Sequence, residues 1–265
     1  MKNRGVIIGA IIAILVLVIV LTGFLIFYLS GGANFKNGFI FRTGSKNNNV
    51  VYEKTFEDDN IKNIEIKHDA GDVVIKESSD NSIRVIIYGD REEDVKVDYS
   101  EEKLGINYSS SRKFTFFGIG AVENDIVVYV PSNYSNNIKV NNNYGKCELA
   151  NFKNASIDID CDAGNVDVGI VKDAVVKCDY GNVKIKEILN KCNIKADCGN
   201  IEIDKISIKE SSNIGADLGN VIIREVNDIY IDANVDLGNA NINKNNRNSD
   251  ITLKIKCDCG NIDVE

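Results

Sequence analysis

The stretch Asp197-Cys198-Gly199-Asn200-Ile201-Glu202-Ile203 recurs with small changes along the C-terminal half of this 265-residue chain. Five further copies open on an aspartate and keep the Gly-Asn pair, and a degenerate first copy runs from Asn143 to Cys147. The glycines of these copies are Gly145, Gly164, Gly181, Gly199, Gly219, Gly238 and Gly260. Successive glycines are therefore 17 to 22 residues apart. Self-similarity at such a period is typical of solenoids.

Apolar and polar residues alternate on both sides of each glycine. Ile157, Ile159 and Cys161 precede Gly164 at alternate positions, and Val183 and Ile185 follow Gly181 in the same way. This pattern predicts two short strands per repeat, each with one buried face. Because one repeat cannot bury that face alone, each copy is expected to stack on the previous one. Residues 135–265 are thus predicted to form an all-β, single-stranded β-solenoid, and a sandwich of hairpins is the alternative.

Residues 50–134 are predicted to form a β-rich cap region. They contain one more probable copy, Asp69 to Ile75, followed by strands without a clear period. Solenoids need such a region because their terminal turns expose core residues and unpaired strand edges. The other end of the solenoid is expected to finish at Glu265, shortly after the last glycine.

The N-terminal segment predicts a membrane anchor. Residues 6–29 carry no charge and are nearly all apolar. This run is long enough to cross a bilayer as a helix and too long for the apolar core of a cleaved signal peptide. We therefore expect a cytoplasmic tail at residues 1–5, a transmembrane helix at 6–29 and a Gly- and Asn-rich spacer at 30–49. The C-terminal domain would be extracellular, because long following domains translocate largely regardless of charge.

These features together resemble a known family. The anchor, the Val127-Val128-Tyr129-Val130-Pro131 strand and the serial Gly-Asn-Val/Ile turns are similar to the bacterial putative-adhesin domain family, a domain of unknown function. The resemblance implies a β-solenoid envelope protein without an established activity. The resulting hypothesis is a membrane-anchored, adhesin-like binding or scaffold protein that contacts envelope polymers or membrane proteins. An accessory of an envelope-stress sensing system is the first alternative, and a polysaccharide-active enzyme is the second.

The aspartates that open the copies form one column of the predicted stack. They are Asp162, Asp179, Asp197, Asp217, Asp236 and Asp258. Stacked at the strand spacing of about 4.8 Å, like charges repel, so something must offset the repulsion. Hydrogen bonds to turn amides are the favoured interpretation. Lysines two residues earlier, raised pKa values and a bound calcium ion are the alternatives.

The seven cysteines are interpreted as small buried hydrophobes. Cys161, Cys178 and Cys257 share a column with alanine and valine, and Cys198 and Cys259 share another with Ala163, Leu218 and Leu237. Their number is odd and no CxxC pair occurs, which disfavours a metal framework. Disulfides between neighbouring turns, such as Cys161 with Cys178, stay open as an alternative.

Several functional classes are disfavoured by the sequence. A net charge of −8 without a basic cluster argues against a nucleic-acid partner. His68, the only histidine, leaves little room for a nucleophile–histidine pair and is expected to be a polar residue at a strand end. No catalytic, cofactor-binding or metal-binding residue is therefore predicted, and no cofactor. Phe114, Phe116 and Phe117 are expected to be buried under the cap, with an exposed contact patch as the alternative.

Overall fold

The computed structural model describes residues 49–57, 60–100, 102–109 and 124–265, and this part of the chain is all-β. Its only helical element is one 3-10 turn, Glu92–Asp94. The predicted transmembrane helix at 6–29 and the phenylalanine cluster at 114–117 lie outside the described residues. No helix within the described ranges is long and apolar enough to span a membrane.

Nineteen strands follow one another in the described part of the chain. They are β1 Val50–Phe56, β2 Asn63–His68, β3 Val73–Ser78, β4 Ile83–Tyr88, β5 Val95–Ser100, β6 Lys103–Tyr108, β7 Ile126–Pro131, β8 Asn137–Tyr144, β9 Cys147–Leu149, β10 Phe152–Ala163, β11 Val166–Tyr180, β12 Val183–Cys198, β13 Ile201–Ile206, β14 Ser212–Leu218, β15 Val221–Val226, β16 Tyr230–Leu237, β17 Ala240–Ile242, β18 Thr252–Cys259 and β19 Ile262–Val264.

The repeats stack as parallel tiers, which confirms the solenoid in its coarse form. We call a tier the strand that precedes a corner glycine together with the strand that follows it. Equivalent residues of adjacent tiers pair in register, as Cys161 does with Cys178 and Val166 with Val183. The alternating apolar residues therefore form continuous inward columns that are almost fully buried. Sheets built in this way bury an apolar face that no single tier could cover.

The order of the last tiers differs from the expected order. β18 lies between β14 and β16, and β19 lies between β15 and β17. The corner glycines consequently stack in the order Gly71, Gly145, Gly164, Gly181, Gly199, Gly219, Gly260 and Gly238. The prediction that the solenoid finishes at Glu265 was wrong, because the tier of Gly260 is internal and the tier of Gly238 forms the end.

The N-terminal end of the stack is also out of chain order. The tier of β2 and β3 lies between the tier of β8 and β9 and the pair β6 and β7. Beyond these parallel tiers, β5 pairs antiparallel with β6, β4 pairs antiparallel with β7, and β1 pairs antiparallel with β4. Residues 50–134 therefore contribute parallel tiers as well as the antiparallel strands that close this end.

The corner glycines allow adjacent tiers to approach closely. A Cβ built on Gly219 would lie 1.9 Å from the carbonyl oxygen of Gly199, well inside van der Waals contact. Gly219 also has a φ of 153°, a conformation that residues with a side chain rarely adopt. The recurring glycine is thus required by both the bend and the tier spacing.

Candidate functional site

From Asn165 onward, the turn amides at the glycine corner are capped by the asparagine after the glycine rather than by the aspartate before it. The Oδ1 of Asn200 accepts hydrogen bonds from the backbone N–H of Asn220 at 2.9 Å and from its Nδ2 at 3.2 Å. Asn182, Asn220 and Asn261 continue this ladder with the same contacts. An amide both donates and accepts, so it can extend a ladder through a stack, whereas a carboxylate only accepts. The expectation that the aspartate column caps these amides was wrong.

Lysine side chains offset the repulsion between the carboxylates of the aspartate column. Lys177 lies 2.7 Å from Asp179, and Lys195 lies 2.6 Å from Asp197 and 3.2 Å from Asp217. The hydrogen bond to Asp197 is the main cause of the raised pKa of Lys195. These pairs are solvent-exposed and add little stability, but they reduce repulsion along the column. In the described ranges no three Asp, Glu, His or Cys side chains are grouped so as to hold a metal ion.

The interior cysteines act as hydrogen-bond donors as well as small hydrophobes. All seven cysteines are free, and no disulfide joins Cys161 to Cys178. The Sγ of Cys178 lies 3.4 Å from the carbonyl oxygen of Gly164, and that of Cys257 lies 3.2 Å from that of Gly219. The pKa of Cys161 is raised to about 12, mainly because its thiol forms a hydrogen bond with the neighbouring Cys147 thiol. Such thiols carry almost no thiolate at neutral pH and are poor nucleophiles.

His68 is buried at the end of β2. Its Nε2 lies 2.6 Å from the carbonyl oxygen of Asn124, and its ring stacks on Tyr108 with centroids 5.4 Å apart. Burial is the main cause that lowers its pKa. The position at a strand end agrees with the expectation, and its contacts with backbone carbonyl groups make its role structural.

An apolar stripe runs along the outside of the glycine corner. We call it the corner stripe, and it consists of the residue immediately before each corner glycine. Its members in stacking order are Ala70, Tyr144, Ala163, Tyr180, Cys198, Leu218, Cys259 and Leu237. Tyr180 is 66% exposed, Leu218 55% and Leu237 69%. Cys198 and Cys259 are partly exposed, so the expectation that this column is buried was wrong.

The bend at the glycine explains why the corner stripe is exposed. Side chains alternate between inside and outside along a strand, which would place the residue before the glycine inside. The paired residues of β16 and β18 are Val235 with Cys257 and then Leu237 with Cys259. Asp236 and Leu237 both lie outside, since the chain turns the corner between Val235 and the glycine.

Large and small side chains alternate strictly along the corner stripe. Tyrosine or leucine occupies every second tier, and alanine or cysteine occupies the tiers between. With tiers about 4.8 Å apart, the large side chains recur every ~9.6 Å. The carboxylates of the aspartate column lie beside them on one side and the asparagine ladder on the other. The surface is therefore a periodic series of apolar ridges between two polar rows.

A groove lies on the outer face of β14, around Gly215. A Cβ added to Gly215 would meet no atom within 4 Å, and the groove around this residue has a volume of about 490 Å³. It is lined by three lysines, Lys195, Lys254 and Lys256, and by three aspartates, Asp217, Asp232 and Asp258. The positive and negative charges balance there, so the groove favours neither anionic nor cationic ligands.

The chain is similar to one family model and to several solved structures. The family model described as Toastrack DUF4097 matches residues 61–265. A putative adhesin from Bacteroides fragilis is similar in structure, with a TM-score of 0.52, 16% identity, and coverage of 81% of this chain and 96% of that chain. A putative lipid binding protein from Parabacteroides distasonis matches with a TM-score of 0.41, 11% identity, and coverage of 83% and 99%. No curated protein matches the sequence.

Sequence reasoning missed the corner stripe for an identifiable reason. The cysteines of this column suit an interior position, and by themselves they predict that the column is buried. Tyr144 and Tyr180 carried the usable signal, because a column that alternates between tyrosine and alanine fits poorly in a core of constant width.

Proposed function

We propose, on the premise that this chain belongs to the Toastrack DUF4097 family, that it is a non-enzymatic binding or scaffold protein whose corner stripe contacts a linear polymer of the cell envelope. The observation that carries the proposal is the periodic exposure of Tyr144, Tyr180, Leu218 and Leu237 on an otherwise polar surface. Exposed apolar side chains arranged in one patch mark interaction sites more often than scattered ones do.

The geometry favours a glycan as the polymer. Tyrosine and leucine offer flat or aliphatic surfaces for the apolar faces of sugar rings, and tyrosine adds a polar hydroxyl. The aspartate column and the asparagine ladder offer acceptors and donors for sugar hydroxyls along both sides. A repeat of ~9.6 Å suits a ligand that is itself periodic, because each repeating unit meets the same contacts.

Removing two ridges of the corner stripe should weaken glycan binding. We expect Tyr180→Ser combined with Leu218→Ser to reduce binding about tenfold or more, since truncating even one hot-spot side chain costs about 2 kcal/mol or more. Co-sedimentation of the full-length protein with purified bacterial cell-wall glycan measures this effect. The matched control is Val175→Ser, which removes an apolar side chain that is 46% exposed but lies on the strand face away from the corner. Equal losses in both variants would contradict the assignment.

The proposed location is the outside of the cell membrane, with residues 6–29 as the anchor. The uncharged length of that segment and the polar solenoid that follows it support this arrangement. A polymer of the envelope would then lie within reach of the corner stripe.

Thiol labelling tests the location. In intact cells that produce the protein, a membrane-impermeant maleimide should label Cys198 and Cys259, which are partly exposed. The other five thiols are buried and should react only after denaturation. Mass spectrometry of the labelled chain identifies the sites, and Cys198→Ser with Cys259→Ser is the control that should abolish labelling. Labelling that requires cell lysis would place the domain inside the cell.

A further inference from the structure

The tier at the C-terminal end of the stack has an open strand edge. Among the described residues, β16 pairs only with β18 and β17 pairs only with β19. The inward residues of this tier are correspondingly less covered than those of internal tiers. Ala233 and Val235 are half-buried and Ala240 is exposed, whereas Ile255 and Cys257 of the adjacent tier are 1% and 0% exposed. Natural sheets usually protect such an edge.

Within the described residues, the chain protects only the first part of this edge. The backbone N–H of Ile231 donates to the Oδ1 of Asn245 at 2.9 Å, and the Nδ2 of Asn245 donates to the carbonyl oxygen of Ile231 at 3.0 Å. The Asn245 amide thereby imitates a paired strand at one position. The neighbouring residue Tyr230 instead donates its N–H to Ile251, on the β18 side. Along a parallel strand, the backbone N–H and C=O groups of successive residues point alternately to one side and the other. The groups of Ala233 and Val235 therefore point to the open side, like those of Ile231.

The strand that already pairs with β16 shows which chemistry this surface accepts. In the register of β16 with β18, Asp232 lies beside Lys254, Ala233 beside Ile255 and Asn234 beside Lys256. β18 therefore supplies aliphatic side chains to the inward columns and lysine to the outer face. The small Ala233 on the inward side leaves room for a larger neighbour.

The exposed carboxylates of β16 also favour a neighbouring strand with lysine on its outer face. Asp232 and Asp236 lie on the outer face of β16, both are exposed, and neither forms an ion pair within residues 124–265. Opposite charges on neighbouring strands are favourable and like charges are unfavourable. Pairing of β16 with a second copy of itself, antiparallel about Asn234, would place Asp232 opposite the Asp236 of that copy. Self-pairing in this antiparallel register is thus unfavourable.

We propose that the open edge of β16 from Ala233 to Asp236 accepts an extended strand of another protein, with aliphatic residues facing the core and Lys or Arg facing out. The added strand would continue the stack by one tier. This mode is β-augmentation, in which main-chain hydrogen bonds supply affinity and alternate side chains supply specificity. The site lies at the end of the stack, and it is independent of glycan binding along the corner stripe.

Two peptides test the proposal. The first carries the sequence of Thr252–Cys259 with both cysteines replaced by valine, and the second also has both lysines replaced by glutamate. We expect the full-length protein to bind the lysine peptide about tenfold more tightly than the glutamate peptide. In the β18 register, the change places a like charge opposite Asp232 and a second negative charge opposite Asn234, diagonal to Asp232 and Asp236. Fluorescence anisotropy of labelled peptides measures both affinities. Equal affinities, or no binding of the lysine peptide at millimolar concentration, would overturn the proposal.

Two variants locate the binding. Val235→Pro removes one N–H on the open side, where proline is tolerated at an edge, and should reduce affinity for the lysine peptide about tenfold. Asp232→Lys combined with Asp236→Lys should reverse the preference, so that the glutamate peptide binds more tightly. Unchanged binding in both variants would mean that the peptide enters elsewhere, for example in place of β18. Dimerisation of the wild type that Val235→Pro abolishes would assign the edge to a second copy, against the proposal.

Discussion

Replacing Gly219 with alanine is expected to leave the protein unfolded or to lower its free energy of unfolding by more than about 4 kcal/mol. The new Cβ would lie 1.9 Å from the carbonyl oxygen of Gly199, and the φ of 153° disfavours any residue with a side chain. The obstructing atom is backbone within a stack, so it cannot rotate away as a side chain would. Chemical denaturation followed by far-UV circular dichroism measures the loss.

Gly215 supplies the matched control for this prediction. It lies in the same tier as Gly219, in β14, but a Cβ there would meet nothing within 4 Å. Gly215→Ala should therefore change stability by less than about 1 kcal/mol, and in the stabilising direction where the unfolded chain loses freedom. If both variants were as stable as the wild type, the close contact between corner glycines would be refuted.

Deleting residues 252–265 is expected to disorder the tier of β16 and β17 as well as the deleted strands. The deleted segment is internal in the stack, and its buried residues include Leu253, Ile255, Ile262 and Val264. Burial of each contributes about 1.5–3 kcal/mol, an upper estimate that still sums to roughly the whole stability of a typical domain. In a solenoid stacked in chain order, the same deletion would remove only the end tier.

Hydrogen exchange distinguishes these outcomes for the deletion variant. Amides of β16 and β17 should lose protection, and those of β15 should become an exchanging edge, while β10 and β11 keep their protection. The matched pair of substitutions is Ile255→Ala and Val235→Ala, which lie in the internal tier and in the end tier. Ile255→Ala should cost about 2–5 kcal/mol and Val235→Ala clearly less. Protection of residues 230–242 that survives the deletion would show that the end tier docks directly on β14 and β15.

The inward columns were predictable because they follow from local alternation. Ile194, Ile214 and Ile255 occupy one buried column, as their spacing from the glycines requires. The different roles of aspartate and asparagine at the corner were not predictable in this way. Both residues suit turns in a single copy, and only the contact between Asn200 and Asn220 of adjacent tiers separates a ladder from an ion-paired column.

The repeat pattern by itself determined that this protein is an all-β solenoid with glycine corners, since alternation and period are properties of each copy and need no neighbour. Only the tertiary structure decided the order of the tiers. The repeats are similar, so they could stack in more than one order, and the segments that connect them determine which order forms. The tertiary structure also decided that Tyr180 and Leu218 lie outside, because the bend at the glycine interrupts the alternation that would place them inside. The candidate surface and the open edge of β16 both follow from these two tertiary features.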